Sequence, residues 1–182
     1  MSISHRSAGR NATLLFDHDR LRALVRECAQ ELFASYGVAT QEIPRLSREH
    51  DLAGVIGFTG AMRGTLFIAS TTSFFDAASP APSADTGDWT AELANQLLGR
   101  LKNRLLRRGI EIAVATPVVV RGLRLSCSTE TPTMFVDLDG GDVGGPVVVG
   151  LEAVCDRPLV WNDEHRDAAA AAALDEGSLE LF

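Results

Sequence analysis

The stretch from Asp88 to Gly109 constrains this chain more than any other. It contains no proline, opens on a good N-cap residue and closes on Arg107-Arg108-Gly109, so its spacing predicts a long helix with Asp88 as cap and Gly109 as stop. Advancing by about 100° per residue gathers Leu93, Ala94, Leu97, Leu98, Leu101 and Leu105 into one apolar arc, which must pack on a core. The opposite face carries Glu92, Asn95, Gly99 and Asn103 at i, i+3, i+7 and i+11, with Lys102 beside them. A mid-helix glycine costs roughly 1 kcal/mol relative to alanine, so Gly99 suggests that another surface comes close to the helix there. Polar residues outside a helix are usually just solvated, and this face becomes a candidate site only in the light of the wider sequence.

The chain has 182 residues, 46% of them hydrophobic and 23% charged, which is enough for one well-cored domain. It lacks both a run of apolar residues long enough to span a membrane and the apolar core of an export signal, so a cytoplasmic location is expected. Cys28, Cys127 and Cys155 are odd in number and lie in apolar or strand-like surroundings, which favours free buried thiols over disulfides. The four histidines show no paired spacing, and no metal held by this chain is expected.

A net charge of −7 argues against general nucleic-acid binding. The charge is unevenly spread. Residues 163–182 carry six acidic side chains against Arg166, whereas the long helix carries Arg100, Lys102, Arg104, Arg107 and Arg108 against Asp88 and Glu92. That basic end suits an acidic partner, and it equally suits the helix's own C-terminus.

Residues 1–15 are polar and mixed and are expected to form a flexible arm. Asp17 opens a second amphipathic helix with Leu21, Leu24, Val25, Cys28, Leu32, Phe33 and Tyr36 at helical spacing and Gly37 as its stop, a helix read as packing alone. Strand patterns follow over 38–43, 52–59 and 65–70. The last two flank Gly60-Ala61-Met62-Arg63-Gly64, a hairpin turn rather than a phosphate loop, since no Gly-Lys-Ser/Thr is present and no helix follows directly. Residues 79–87 are too rich in proline and small side chains for regular structure. Further strands are expected over 111–121, 123–128, 133–137 and 147–154, with Gly140, Gly141, Gly144 and Gly145 in the last hairpin loop. Asn162 and Asp163 can cap a short helix to Leu174, followed by an acidic tail. Long amphipathic helices with hairpins, and no strand-helix-strand alternation, predict an α+β fold with a largely antiparallel sheet. The expected organisation is an arm (1–15), one domain (16–160) and a C-terminal helix with its tail (161–182).

Three motifs fall in the order and spacing seen in CheX: the hairpin Val55 to Leu66, Glu92-Leu-Ala-Asn95 with Gly99, and Thr116-Pro-Val-Val-Val-Arg-Gly122. From about Leu21 to Val154 the chain resembles CheX, within the CheC/CheX/FliY group of bacterial chemotaxis phosphatases. It departs from the family's pattern in the short, proline-broken segment from Phe74 to Gly87, in Leu98 where a small residue is common, and in Ala94 where glycine is common.

The resemblance implies a phosphatase acting on the phospho-aspartate of a CheY-type response regulator receiver domain, with magnesium supplied by that receiver. It places the family's Glu-x-x-Asn pair on Glu92 and Asn95, with Asn95 positioning a water and Glu92 anchoring to a lysine of the receiver. Gly99, Asn103 and Lys102 fall in the implied binding surface, and monomer and homodimer both remain open. The alternatives are an adaptor that binds a receiver without dephosphorylating it and, more remotely, a structural relative of flagellar switch proteins. Retention of the Glu-x-x-Asn pair favours the phosphatase. Ser178 to Phe182 lies outside the resemblance and reads either as an acidic, aromatic-ended tether for the receiver or as a frayed end whose Phe182 packs on its own domain.

Overall fold

A computed structural model describes residues 17–45, 50–81, 85–125 and 133–162. The elements run α1 (His18–Ala34), β1 (Gln41–Ile43), β2 (His50–Gly60), β3 (Arg63–Ser70), α2 (Thr72–Ala77), α3 (Thr86–Leu106), β4 (Ile112–Val114), β5 (Val118–Leu125), β6 (Thr133–Asp139) and β7 (Pro146–Val154). Every strand pairing is antiparallel. The sheet order is β1-β6-β7-β3-β2-β4, with β5 pairing β2 further along the same edge. This is the expected α+β architecture.

Alternation along β2 decides how the layers stack. Leu52, Ile56 and Phe58 point into the main core with Leu66 and Ile68 of β3, Val147, Val149 and Leu151 of β7, and the apolar faces of α1 and α3. All six residues of the predicted apolar arc of α3 are buried. Ala53, Phe67, Ala69 and Val148 form a smaller cluster on the opposite face, flanked by Val55, Leu125 and Phe135. Phe67 meets Phe135 edge-on at 5.9 Å, and the Arg45 guanidinium lies over the Phe135 ring.

The position of α3 over the sheet is set at Gly54. A Cβ there would lie 2.6 Å from the backbone oxygen of Thr90 and 3.1 Å from the Ala94 methyl, so β2 and the helix approach at a distance that excludes any side chain. Ala94 fits because Gly54 opposite it has no side chain.

Several boundaries differ from the sequence reading. The helix expected from Asp88 begins two residues earlier and is capped by Asp85, whose Oδ1 accepts from the Gly87 and Asp88 amides; Asp88 lies in the first turn. Of the loop expected over 79–87, Thr86 and Gly87 belong to the helix, and residues 82–84 lie outside the described residues. A short helix that the sequence reading did not place precedes the loop: Thr71 caps α2, whose Phe74 and Phe75 are fully buried, and Asp51 accepts from both the Thr72 amide and its hydroxyl. The strand expected over 111–121 is broken at Ala115-Thr116-Pro117 into β4 and β5, because proline cannot donate to a ladder. By contrast β5 runs through Gly122, where a strand break was expected. Only Gln41–Ile43 of the expected 38–43 strand pairs with the sheet. Asp17 caps α1 as expected. Cys28 is buried and Cys155 half-buried, both as free thiols; Cys127 lies outside the described residues. The N-terminal arm, the helix expected from residue 163 and the acidic tail also lie outside them.

Gly54→Ala is expected to destabilise the fold by about 1–3 kcal/mol through overpacking against a helix backbone that must move. Gly57→Ala, whose Cβ would meet nothing closer than 3.8 Å, is the control. Its cost should stay near or below about 0.5 kcal/mol. Urea midpoints compare the two. Equal midpoints would mean that α3 does not lie this close to β2.

Candidate functional site

Contacts at both ends and along one flank set the rotation of α3 about its own axis. At its start, Asp85 Oδ1 accepts from the Gly87 and Asp88 amides and also from the Arg121 guanidinium of β5, at 3.0 Å. Arg121 belongs to the Thr116 to Gly122 motif, whose arginine thus ties the helix cap to the sheet edge. The backbone amides of Gly87 and Asp88 hold the Asp85 carboxyl below the usual carboxylate range, with Arg121 adding to the effect. Along the α1 flank, Arg104 bridges Glu27, at 2.5 Å, and Glu31. Arg108 donates to the Arg104 carbonyl, closing the helix end. Much of the basic cluster seen in the sequence therefore serves the fold itself: Arg104 is paired, Arg108 caps, and Arg100 reaches the Ser35 hydroxyl at 3.4 Å.

What remains outward is a polar strip. Glu92, Asn95 and Asn103 are exposed, Gly99 is half-exposed between them, and Leu106, 50% exposed, ends the strip on the same side. A Cβ on Gly99 would meet no atom within 4 Å outside its own helix, so nothing in the described fold requires a glycine there. Lys102 sits on the flank rather than in line. It borders a shallow depression formed by Gly60, Ala61, Gly109, Glu111, Ile112 and Ala113.

Glu92 and Asn95 differ in their surroundings. Among the described residues the Asn95 amide has no hydrogen-bond partner, so its donor and its acceptor both face outward. Glu92 is held: Gln96 Nε2 donates to its Oε1 at 2.7 Å, and the Tyr36 hydroxyl lies 2.8 Å from Gln96 Oε1. Tyr36 follows the end of α1 and packs edge-on against Trp89 of α3, ring centres 4.8 Å apart. Sequence reasoning missed Gln96 and Tyr36 as parts of the site. The i, i+4 spacing of Glu92 and Gln96 was the available signal for the first. Tyr36 offered none, since its partner is 60 residues away in the chain.

An antiparallel sheet covered by one helical layer, with a Glu-x-x-Asn strip exposed on α3, has the α+β fold of CheC/CheX-like proteins. Residues 52–139 match the family model described as chemotaxis phosphatase CheX. Over that segment the chain is similar to CheX. CheX from Vibrio vulnificus superposes with a TM-score of 0.64 at 16% identity, over 74% of this chain and 99% of that one. CheX from Desulfovibrio desulfuricans gives 0.62 at 18% identity, over 74% and 99%. The CheX-CheY-BeF3-Mg complex from Borrelia burgdorferi gives 0.57 at 16%, over 75% and 97%. At these identities the likeness is one of fold. No curated protein matches the chain.

The Asp85 cap generates a pH-dependent expectation. A carboxylate whose folded pKa is depressed contributes stability that is present above its unfolded pKa and is lost as pH falls through the folded value. Asp85→Ala should therefore lower the urea midpoint at neutral pH. The gap to wild type should then shrink as the pH falls below the ordinary aspartate range. A gap undiminished in acid would mean that the charged carboxylate is not what holds the helix start.

Proposed function

We propose that this protein accelerates the hydrolysis of phospho-aspartate on a CheY-type receiver domain, with Asn95 positioning the attacking water and Glu92 anchoring the receiver. The observation that carries the reading is the exposed Asn95 amide, without a hydrogen-bond partner among the described residues, one turn from a Glu92 carboxylate held in place. The family match and the Borrelia complex of a CheX with CheY support it.

The chemistry asks little of such a helper. Water oxygen bonds to phosphorus, the bond from phosphorus to the aspartyl oxygen breaks, and the carboxylate leaves with the electron pair while a proton passes to solvent. An acyl phosphate is already reactive, so most of the available acceleration comes from holding a water in line with the breaking bond. A side-chain amide suits that task, because it accepts one hydrogen bond from the water and donates another to the phosphoryl group without changing protonation. Among the described residues no cluster of three or more His, Cys, Asp or Glu could hold a metal ion. Magnesium in this reading is the receiver's, where it neutralises phosphoryl charge. Glu92 pairs with a cation beside the phosphorylated aspartate, and Gly99 lets the receiver surface approach the helix. Asn103 and Lys102 extend the contact. Residues 16–160 form the receiver-binding unit, flanked by the N-terminal arm and the C-terminal segment.

The test is the decay rate of phosphorylated CheY-type receivers from the same genome, in magnesium, with wild type, Asn95→Ala and Glu92→Ala. With the right receiver, wild type shortens the phosphoryl lifetime. Asn95→Ala should remove roughly 10²-fold or more of that acceleration while leaving binding intact, and Glu92→Ala should raise the receiver concentration needed for half-maximal effect. Binding without any acceleration would instead make the protein an adaptor.

A further inference from the structure

The Glu92 carboxylate is not a free surface acid. It ends a line of contacts that begins in the packed interface of α1 and α3. Trp89, 8% exposed, presents its ring to Tyr36 at an interplanar angle of 88°. The Tyr36 hydroxyl reaches Gln96 Oε1 at 2.8 Å, and Gln96 Nε2 reaches Glu92 Oε1 at 2.7 Å. The direction of this line follows from chemistry. An ionised carboxylate only accepts, so the Gln96 amide must turn its nitrogen toward Glu92, which leaves its oxygen to receive the tyrosine proton. Among the described residues only one oxygen of Glu92 is engaged, and nothing pairs with the other.

We infer that Gln96, oriented by Tyr36, is a positioning residue that fixes Glu92 in the rotamer from which its second oxygen meets a cation on the receiver. This rests on the proposed function and assigns what determines affinity at the same site. A long glutamate side chain on an exposed helix face samples several rotamers in water, and ordering it on binding weakens association. Holding one oxygen in advance removes part of that cost, and the unheld oxygen keeps its capacity for the partner. Gln96 also pairs at i, i+4 on the same helix, so the restraint moves with α3 as a unit. Tyr36 adds a tertiary lock: the restraint on Glu92 depends on α1 being docked, through a ring seated on Trp89.

Receiver binding and phosphoryl decay, measured together, test this. The probes are a beryllofluoride-activated CheY-type receiver for affinity and the phosphorylated receiver for rate. Gln96→Leu should raise the half-saturating receiver concentration about three- to tenfold, in keeping with loss of one exposed charge-assisted hydrogen bond, while the maximal rate stays within about twofold because Asn95 is untouched. Tyr36→Phe keeps the ring against Trp89 and loses only the hydroxyl, so it should act in the same direction by a smaller factor. In a Glu92→Ala background, Gln96→Leu should have no further effect, since nothing remains to position. Equal losses in both backgrounds, a fall in maximal rate instead of affinity, or unchanged affinity would each overturn the inference. The free protein gives an independent readout: the Gln96 side-chain amide resonances, identified by their loss in Gln96→Leu, should shift in both Glu92→Ala and Tyr36→Phe. If neither variant moves them, the line of contacts does not exist and the inference fails. A wild type that binds no receiver overturns the phosphatase reading and, with it, the anchor role, and the amide shifts still decide whether Tyr36 and Gln96 orient Glu92.

Discussion

The close contact between β2 and α3 at Gly54 is the constraint on which the site depends. A helix that must lie within van der Waals range of a strand backbone has little freedom to roll, because the Thr90 carbonyl and the Ala94 methyl already fill the space. Rotation by one residue position would bring Leu93 or Asn95 to the strand in place of Ala94 and force the layers apart. The buried arc of Leu93, Leu97, Leu98, Leu101 and Leu105 then has one place to go, and the strip of Glu92, Asn95, Gly99 and Asn103 is what is left facing outward. Site geometry here is a by-product of layer packing.

The electrostatics of α3 follow from the same arrangement. Because α1 lies along one flank, the arginines on that side find partners inside the molecule: Arg104 meets Glu27 and Glu31, and Arg100 reaches Ser35. These half-exposed ion pairs contribute modestly to stability. At the basic end of the helix they neutralise the charge of Arg104 alone. The outward strip thus carries one acid near its start, the flanking Lys102, and the apolar Leu106 with the exposed Arg107 at its end.

The sequence made the helix, its buried arc and its outward strip legible because a 3.6-residue period is written into the order of the residues. Hairpin β2–β3 was legible for a similar reason, through alternation and two glycines at the turn. Boundaries set by tertiary contacts were not. Asp85 and Asp88 are equally good caps on paper; Asp85 takes the role, and Arg121, 36 residues away in the chain, meets it there. The short α2 has little helical preference of its own and forms where Phe74 and Phe75 can be buried and Asp51 can serve its first turn. Within the candidate site, Glu92 and Asn95 were found through a motif and its spacing. Gln96 was hidden in plain view as an ordinary polar helix residue, and Tyr36 was assigned to packing, because the hydrogen bond that joins them exists only once α1 and α3 are side by side.

In the proposed reading, the division between Asn95 and Glu92 suits a site on an exposed helix face. An enzyme that must activate a poor leaving group needs a dry, enclosed cavity, because its electrostatic terms weaken in water. A protein that assists an already activated acyl phosphate on another molecule needs no cavity of its own, since the partner's surface closes the site when it docks. In the proposed reading, an exposed helix face is then the appropriate scaffold: it projects an amide outward by a fixed distance, with a glycine one turn further on to let the partner in. In the same reading, water exclusion, metal and charge clamp belong to the receiver. What this chain would then supply is placement, and placement on an exposed helix face is vulnerable to side-chain freedom. Anchoring Glu92 to Gln96, and Gln96 to a tyrosine seated on a buried tryptophan, limits that freedom at the position where an extended acidic side chain would otherwise have most of it.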